Sequence, residues 1–260
     1  MTGTVGKGSV AHLIYEILKR NKKSVYFTGN ESWILQLAEQ LKTMNSKDYL
    51  VLEISHRQLL DGFTKSPEMV IFTNLFPDHL NEVSFEEYCR LKLSLIRNQT
   101  KDQISILNYD SDLLKEASGS LKSKKIYYSI KKSNMNIKSI QNMYGRILDI
   151  KSNHYPENIL AASTVVSILG LTANRFLPLI KQIPALPARL EKIANINGIT
   201  IIDDLKSTTP WATIAALKKL SDLSVLIMGG NTKKISYDEF IEKISKKKII
   251  IIVLKSILSG

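Results

Sequence analysis

Short apolar segments alternate with helical patterns along almost the whole chain. Residues 49–54 and 69–73 are apolar and strand-like, whereas residues 11–20 and 85–97 have the spacing of amphipathic helices. Short apolar strands separated by helices are typical of parallel sheets, because the crossover helices cover both faces. We therefore predict an α/β protein with a mostly parallel sheet flanked by helices. Further strands are predicted at residues 24–27, 104–107 and 125–129, further helices at residues 32–41, 110–116 and 158–169, and a β excursion at residues 130–150.

Two prolines in the segment Ile183-Pro-Ala-Leu-Pro187 interrupt this rhythm. Proline restricts its own backbone and that of the preceding residue, so such a segment is typical of a linker. We therefore expect two domains, residues 1–183 and residues 184–260. In the second domain the Asn197-Gly198 pair predicts a hairpin turn. The other elements expected there are strands at residues 192–194, 199–202, 224–228 and 249–253, and helices at residues 211–220 and 237–245.

The composition narrows the class of protein. Of 260 residues, 44% are hydrophobic and 23% are charged, which excludes wholesale disorder. The single cysteine, Cys89, excludes a disulfide framework and favours a reducing cytoplasm. No apolar run is long enough for a membrane span, and the start of the chain lacks a signal-peptide pattern, so we expect a cytoplasmic protein without a membrane partner. The charge of +12 comes from 29 scattered lysines and only 7 arginines, so no nucleic-acid partner is expected.

The segment Thr2-Gly-Thr-Val-Gly-Lys-Gly-Ser9 runs directly into a helical pattern. Glycines let a backbone wrap closely around phosphates, and a helix N-terminus offers free N–H groups and partial positive charge. Lys7 is placed to reach terminal phosphates, and a hydroxyl after the lysine can hold Mg²⁺. In this chain the hydroxyl comes one residue late, at Ser9. A plain glycine-rich helix start is therefore the alternative.

Polar residues follow two of the predicted strands. Glu53 ends one strand, and Asp78 and His79 follow the next one in a turn that a proline initiates. Ligands of open α/β sheets bind at the carboxyl ends of the strands, so Glu53 is a candidate Mg²⁺ ligand. The alternatives are a capping or solvent-facing Glu53 and a structural His79.

The segment Asp203-Asp-Leu-Lys-Ser-Thr-Thr-Pro210 carries two acids, a lysine and several hydroxyls between a strand and a helix. One interpretation is a loop that contacts a nucleotide. The other is a well-capped helix start, with Thr208 or Thr209 as the cap. The spacing alone does not separate the two.

Taken in order, eight short motifs resemble one family, the Mur ligases, which are ATP-dependent ligases that build the peptide stem of bacterial peptidoglycan. The motifs are TGTxGKGS, LEIS, TNxxPDHLN, YxxxKL, HxxxN, ARLE, DDxKSTTP and MGGxxKK. The LEISxxQL segment and Lys233 resemble the MurD type, which joins D-glutamate to UDP-N-acetylmuramoyl-L-alanine. The resemblance implies a P-loop-type ATP-binding domain over residues 1–183 and a smaller, truncated Rossmann-like α/β domain over residues 184–260. The GKGS variant also resembles folylpolyglutamate synthases, in which the serine after Lys-Gly supplies the Mg²⁺ hydroxyl.

The resemblance also implies roles for single residues, with ATP and Mg²⁺ as cofactors. The implied ATP ligands are Gly3, Thr4, Gly6, Lys7, Gly8, Ser9, Asn158, Arg189 and Asp204. The implied metal ligands are Ser9, Glu53, His79 and Lys92, the last as a carbamate. The implied substrate contacts are Asn30, Ser55, Thr208 and Lys233. The implied catalytic residues are Lys7, Glu53, His79, Lys92 and Lys206.

The implied reaction has two steps: the substrate carboxylate forms an acyl phosphate with ATP, and the amine of D-glutamate then displaces phosphate. Against the family, the chain lacks the N-terminal domain that binds the uridine nucleotide and the end of the C-terminal domain. It is thus expected to be a fragment, a decayed ligase, or a split ligase that needs a second chain. The alternatives are a folylpolyglutamate-type ligase and an ATP-binding fragment without turnover.

Overall fold

A computed structural model of the protein describes residues 1–30, 42–231 and 233–254. The helix predicted at residues 32–41 lies outside the described residues. The chain divides into two units. Unit 1 comprises Met1–Phe76 and Cys89–Leu186, and unit 2 comprises Pro77–Tyr88 and Pro187–Gly260. None of the described helices has the length and apolarity needed to span a bilayer.

Unit 1 contains parallel strands connected by helices, which confirms the α/β prediction. Its strands are β1 (Val25–Gly29), β2 (Tyr49–Glu53), β3 (Met69–Phe72), β4 (Ile104–Asn108) and β5 (Lys124–Tyr128). Its helices are α1 (Lys7–Arg20), α3 (Asp112–Ser118), α4 (Lys138–Leu148), α5 (Pro156–Ile168), α6 (Ala173–Ile180) and most of α2 (Phe85–Arg97). Strand β1 pairs with β2, and β3, β4 and β5 pair in that order, all in parallel.

Residues 1 and 2 connect these two groups of strands. The amide of Ile54 donates to the carbonyl of Met1, and the amide of Thr2 donates to the carbonyl of Ile71. Thr2 also forms a parallel bridge with Phe72. The carboxyl ends of β2 and β3 therefore lie on either side of residues 1 and 2, at the start of the glycine-rich segment.

The core of unit 1 lies between the sheet and the helices α1, α4, α5 and α6. Helix α5 is buried along the whole of residues 158–166. Ala161 and Ala162 are fully buried, and their small side chains permit close packing. Among the described helices, α1 is the one that α5 contacts most extensively. Tight packing of these two helices fixes the start of α1 relative to the start of α5.

The β excursion predicted at residues 130–150 is wrong, because this stretch forms a 3-10 turn at Lys132–Asn134 and the helix α4. Ile140, Met143 and Ile147 are buried and have helical spacing, so they form one apolar face of α4. Many lysines, serines and asparagines around them conceal this period in the sequence. Asn136, just before α4, seals the free edge of β5: its side chain donates to the carbonyl of Lys125 at 2.9 Å and accepts from the amide of Tyr127 at 2.7 Å.

Unit 2 has two small sheets. Strands β6 (Glu191–Ile196) and β7 (Ile199–Asp203) form the predicted antiparallel hairpin, and its turn residues Asn197 and Gly198 both have positive φ angles. Strands β8 (Val225–Gly229) and β9 (Ile250–Leu254) are parallel. Helices α7 (Pro210–Lys219) and α8 (Asp238–Ser245) pack on each other, and their core is Ile214, Leu217, Phe240 and Ile244. All five residues of β9 are exposed, although all five are apolar.

Candidate nucleotide and substrate site

The glycine-rich segment of unit 1 ends where α1 begins, at Lys7. Gly6 is the N-cap residue and has a left-handed φ of 86°. The first N–H groups of α1 therefore point out of the helix at its positive end. Ser9 lies half-buried in this first turn, and the Nζ atom of Lys7 donates to the carbonyl of Thr4 at 3.0 Å. Helix start, lysine and hydroxyl are thus placed together, as a phosphate site requires.

Two glycines of this segment occupy positions that admit no side chain. A Cβ atom on Gly3 would lie 2.0 Å from the Oγ1 atom of Thr73, and one on Gly6 would lie 2.6 Å from the Oδ1 atom of Asn158. Gly3 also has a φ of 137°, which other residues rarely adopt. The segment is therefore pressed against the end of β3 on one side and against the start of α5 on the other.

Thr73 and Asn74 hold the segment in place. The amide of Val5 donates to Oδ1 of Asn74 at 2.8 Å, and Nδ2 of Asn74 donates back to the carbonyl of Val5 at 3.0 Å. The hydroxyl of Thr73 donates to the same carbonyl at 2.7 Å. The sequence alone indicates no role for these two residues beyond their place at the start of the TNxxPDHLN motif.

Buried charges lie behind the glycine-rich segment. Lys92 is 1% exposed, and its Nζ atom donates to the carbonyl of Gly3 at 2.8 Å and, less closely, to the hydroxyl of Thr2 at 3.4 Å. Glu53 is 3% exposed at the carboxyl end of β2. The pKa of the Met1 amino group is lowered to about 5, chiefly by burial and also by the charges of Lys92 and Lys7, while the charge of Glu53 opposes this shift. The charges of Glu53 and Lys92 therefore both influence the amino group of Met1, next to the glycine-rich segment.

The donor atoms in unit 1 fit a hard divalent cation. The carboxylate of Glu53 and the hydroxyl of Ser9 are oxygen donors of the type that Mg²⁺ and Mn²⁺ prefer. Lys92 as an ammonium would repel a cation, whereas a carbamate on the same nitrogen would supply an anionic oxygen ligand. Glu53 and Ser9 thus fit the predicted role directly, and Lys92 fits it only after modification.

Asn158, Asn30 and Ser55 also lie at loop ends in unit 1. Asn158 is 8% exposed in the first turn of α5, next to Gly6. Asn30 is exposed directly after β1, and Ser55 follows β2, where its hydroxyl donates to Oε1 of Gln58 at 3.0 Å. Because β1 and β2 are paired neighbours, Asn30 and Ser55 lie at the same edge of the sheet.

In unit 2, Asp78 connects His79 to Lys233. Oδ1 of Asp78 accepts from the backbone amide of His79 at 2.9 Å and from Nζ of Lys233 at 2.9 Å. Lys233 also donates to the hydroxyl of Thr208 at 3.3 Å. The imidazole of His79 faces carboxylates at both nitrogens, with Nδ1 3.0 Å from Glu82 and Nε2 3.5 Å from Asp78. Lys233 therefore contacts both Thr208 and Asp78, and Asp78 also binds the backbone of His79. The imidazole of His79 lies between the carboxylates of Asp78 and Glu82.

Asp204 organises a second loop of unit 2. Its Oδ1 atom accepts from the amide of Leu190 at 3.0 Å, and its Oδ2 atom accepts from the hydroxyl of Ser207 at 2.5 Å. Burial raises the pKa of Asp204, although both hydrogen bonds and the charge of Arg189 oppose this shift. Arg189 in turn donates to the carbonyl of Lys206 at 3.3 Å. These contacts connect the backbone around Arg189 to the loop that carries Lys206. The carboxylate of Asp204 is therefore engaged in hydrogen bonds that organise this loop.

Helix α7 begins directly after this loop. The hydroxyl of Thr209 accepts from the amide of Ala212, and Pro210 occupies the first helical position. Of the two caps that the sequence left open, Thr209 is the cap. The hydroxyl of Thr208 does not cap the helix and instead accepts a hydrogen bond from Lys233.

The chain is similar in sequence to known ligases. The Mur ligase middle domain family matches residues 1–166. The UDP-N-acetylmuramoylalanine--D-glutamate ligase of Thermoanaerobacter sp. (strain X514) is 31% identical over 97% of this chain and 59% of that protein. The protein of the same name from Alkaliphilus metalliredigens is 30% identical over 95% of this chain and 57% of that protein. The chain therefore spans somewhat more than half the length of these relatives.

Solved structures share the fold at low identity. MurF ligase from Thermotoga maritima in complex with ADP has a TM-score of 0.70 and 17% identity, with 98% of this chain and 69% of that chain covered. The bifunctional folylpolyglutamate synthase/dihydrofolate synthase from Yersinia pestis, complexed with AMPPNP and Mn, has a TM-score of 0.67 and 12% identity over 96% of this chain and 73% of that chain.

Proposed function

Because the chain belongs to the Mur ligase family, which the match over residues 1–166 establishes, we propose that it takes part in ATP-dependent formation of an amide bond. The observation that carries this proposal is the glycine-rich segment at the start of α1. There Gly3 and Gly6 admit no side chain, and a lysine and a hydroxyl follow in the first turn. Such a site suits a nucleoside triphosphate, whose phosphates lie against backbone N–H groups.

In unit 1 the residues have distinct tasks. Lys7 and the first amides of α1 bind the phosphates of ATP, and Asn158 contacts the nucleotide from the start of α5. Ser9 and Glu53 would hold Mg²⁺, and a carbamate on Lys92 would add a further ligand. The metal ion, when bound, supplies positive charge against the phosphates. Asn30 and Ser55 contact the carboxylate-bearing substrate at the end of the paired strands β1 and β2.

In unit 2 the residues hold the incoming amino acid and charged phosphate groups. The ammonium of Lys233 and the hydroxyl of Thr208 bind the carboxylate of the amino acid, while Asp78 keeps Lys233 extended. Lys206 and Arg189, fixed by their loop, bind the phosphate groups that gain charge during transfer. His79, also in unit 2, would be a further metal ligand.

The names of the relatives support a specific pair of substrates. Both relatives compared above carry the name UDP-N-acetylmuramoylalanine--D-glutamate ligase, at about 30% identity over almost all of this chain. We therefore infer that the acid substrate is UDP-N-acetylmuramoyl-L-alanine and that the amine is D-glutamate. The substrate carboxylate attacks the γ-phosphate of ATP and forms an acyl phosphate. The amine then attacks the acyl carbon, and phosphate leaves.

The test is an assay on the purified chain with ATP, Mg²⁺, UDP-N-acetylmuramoyl-L-alanine and D-glutamate. We expect phosphate release and an amide product only when both substrates are present. Lys7→Met should abolish release, whereas Lys19→Met, an exposed lysine at the other end of α1, should not change it. Turnover with a folate and L-glutamate instead would favour the folylpolyglutamate type. ATP binding that depends on Lys7 without any turnover would identify the chain as a nucleotide-binding unit and contradict the ligase proposal.

A further inference from the structure

Asn108, the last residue of β4, binds backbone groups with both ends of its side-chain amide. Its Nδ2 atom donates to the carbonyl of Thr73 at 2.9 Å, and its Oδ1 atom accepts from the amide of Asp110 at 3.0 Å. Because β3 and β4 are parallel neighbours, with Phe72 opposite Leu107, the side chain of Asn108 reaches the first residue after β3. It thus continues the contact between the two strands beyond their last paired residues.

The backbone beside Asn108 is itself held to the end of β5. The carboxylate of Asp110 accepts from the hydroxyl of Ser129 at 2.6 Å and from the amide of Ile130 at 2.8 Å. Ser129 is fully buried, and hydrogen bonds to a carboxylate are among the stronger ones in proteins. The turn after β4 is therefore anchored, and Asn108 is presented to Thr73 from a fixed position.

A second donor faces the same carbonyl from β5. The hydroxyl of Tyr128 lies 3.4 Å from the carbonyl oxygens of both Phe72 and Thr73. Tyr128 is 2% exposed, and burial raises the pKa of its hydroxyl, which therefore keeps its proton and stays a donor. Asn108 is the closer of these two donors to Thr73 and makes the stronger contact.

The carbonyl of Thr73 shares a peptide plane with the amide of Asn74, the residue that holds the glycine-rich segment. The backbone carbonyl of Asn74 accepts from the amide of Thr4 at 3.0 Å, and its side chain forms two hydrogen bonds with the backbone of Val5. The hydroxyl of Thr73 donates to the carbonyl of Val5 as well. A rotation of this peptide plane would displace these partners of the segment together.

We propose that Asn108 is a positioning residue for the proposed phosphate site. It fixes the carbonyl of Thr73, and through Thr73 and Asn74 it holds the glycine-rich segment in place. The consequence for nucleotide binding rests on the proposed function. The effect on the segment itself is a property of the folded chain without ligands.

Amide hydrogen exchange at Thr4 and Val5 tests this role directly, because both amides donate to Asn74. Asn108→Leu removes the donor and should speed exchange at both amides about five- to tenfold, the effect expected for the loss of one hydrogen bond. Asn108→Gln keeps a donor and should restore part of the protection. Asn136→Leu is the matched control, since Asn136 also binds two backbone groups, at the edge of β5.

The control should lower the thermal stability of unit 1 to a similar extent but leave exchange at Thr4 and Val5 unchanged. Unchanged exchange in a folded Asn108→Leu variant, or equal acceleration in Asn136→Leu, would overturn the proposal. If Asn108→Leu does not fold, Asn108→Asp decides by the same comparison. Aspartate keeps the size of the side chain and the acceptor for Asp110, but it turns a carboxylate oxygen toward the carbonyl of Thr73.

Titration with AMPPNP and Mg²⁺ tests the consequence for the nucleotide. The Kd of Asn108→Leu should be about five- to tenfold higher than that of the parent, and Asn136→Leu should bind as the parent does. An unchanged Kd together with faster exchange would overturn the role in nucleotide binding. A parent chain that does not bind AMPPNP would contradict the proposed function, and the exchange comparison would still decide whether Asn108 positions the segment.

Discussion

The Nζ atom of Lys233 lies 2.9 Å from the Oδ1 atom of Asp78, a carboxylate that is almost completely buried. This pair joins a loop after β8 to the segment that follows β3 in sequence, and Thr208 lies within reach of the same ammonium group. A lysine held in this way presents its charge at a defined point. In the proposed reaction this point is the site of the amino-acid carboxylate.

Lys233→Met should therefore raise KM for D-glutamate by about ten- to a hundredfold, because a charge-assisted hydrogen bond is lost. KM for ATP should change little. Lys234→Met, at the exposed neighbouring lysine, is the control. Steady-state kinetics with each substrate varied in turn measures both constants. An equal rise of both KM values in Lys233→Met would contradict a specific role in amino-acid binding.

Gly3→Ala and Gly6→Ala should each destabilise unit 1 by about 2 kcal/mol or more, since a Cβ atom at either position overlaps a neighbouring side chain and the φ angle is unfavourable. Both variants should also lose ATP binding. Gly145→Ala, in α4 where an added Cβ meets no atom within 4 Å, should instead stabilise the unit by roughly 0.5–1 kcal/mol. Thermal unfolding and nucleotide titration measure these effects. A fully stable Gly3→Ala would be incompatible with the close approach of Thr73.

Lys92 should carry a carbamate in solution at neutral pH, because an unmodified ammonium buried beside the proposed cation site is electrostatically unfavourable. Carbon-13 labelled bicarbonate should give a carbamate signal in the magnetic resonance spectrum of the parent chain. The same signal should be absent from Lys92→Met. Phosphate release by this variant should fall at least about a hundredfold, as expected for a lost electrostatic contact in phosphoryl transfer, while ATP still binds. A carbamate signal that persists in Lys92→Met would place the modification elsewhere.

The stability of unit 1 should depend on pH through His12. Burial lowers the pKa of His12 below its ordinary value of 6.5, Arg20 lowers it further, and Glu16 and the carbonyl of Pro184 oppose the shift. The folded chain therefore binds the proton more weakly than the unfolded chain does. This contribution to stability is complete above pH 6.5 and is lost as the pH falls below that value toward the folded pKa.

Calorimetry between pH 8 and pH 5 should accordingly show a smaller loss of thermal stability in His12→Gln than in the parent. His154 is common to both proteins, so the difference isolates His12. Parallel curves for the two proteins would show that His12 titrates alike in the folded and unfolded chains.

Much of the fold was predictable because it is set by local apolar periods. Helix α2 has the predicted bounds, and strands β2 and β3 each end one residue before the predicted end. The glycine-rich segment was also recognisable from its residues. Helix α6 was not predicted at all, because Pro178 interrupts its pattern.

The contacts that complete the site could not be predicted, since they join residues far apart in the chain. The hydrogen bonds of Asn74 to Val5 and of Lys233 to Asp78 depend on the packed positions of whole elements. The roles assigned to single site residues from the family resemblance stay predictions. What the structure adds is that Asp78 connects the side chain of Lys233 to the backbone of His79.

Strand β9 presents five consecutive apolar side chains to solvent, and among the described strands only β8 pairs with it. Its counterpart in unit 1, the edge strand β5, is closed by the side chain of Asn136. An open apolar edge favours strand-to-strand association between molecules. We therefore expect strand-to-strand association between molecules of this chain to begin at β9 rather than at β5.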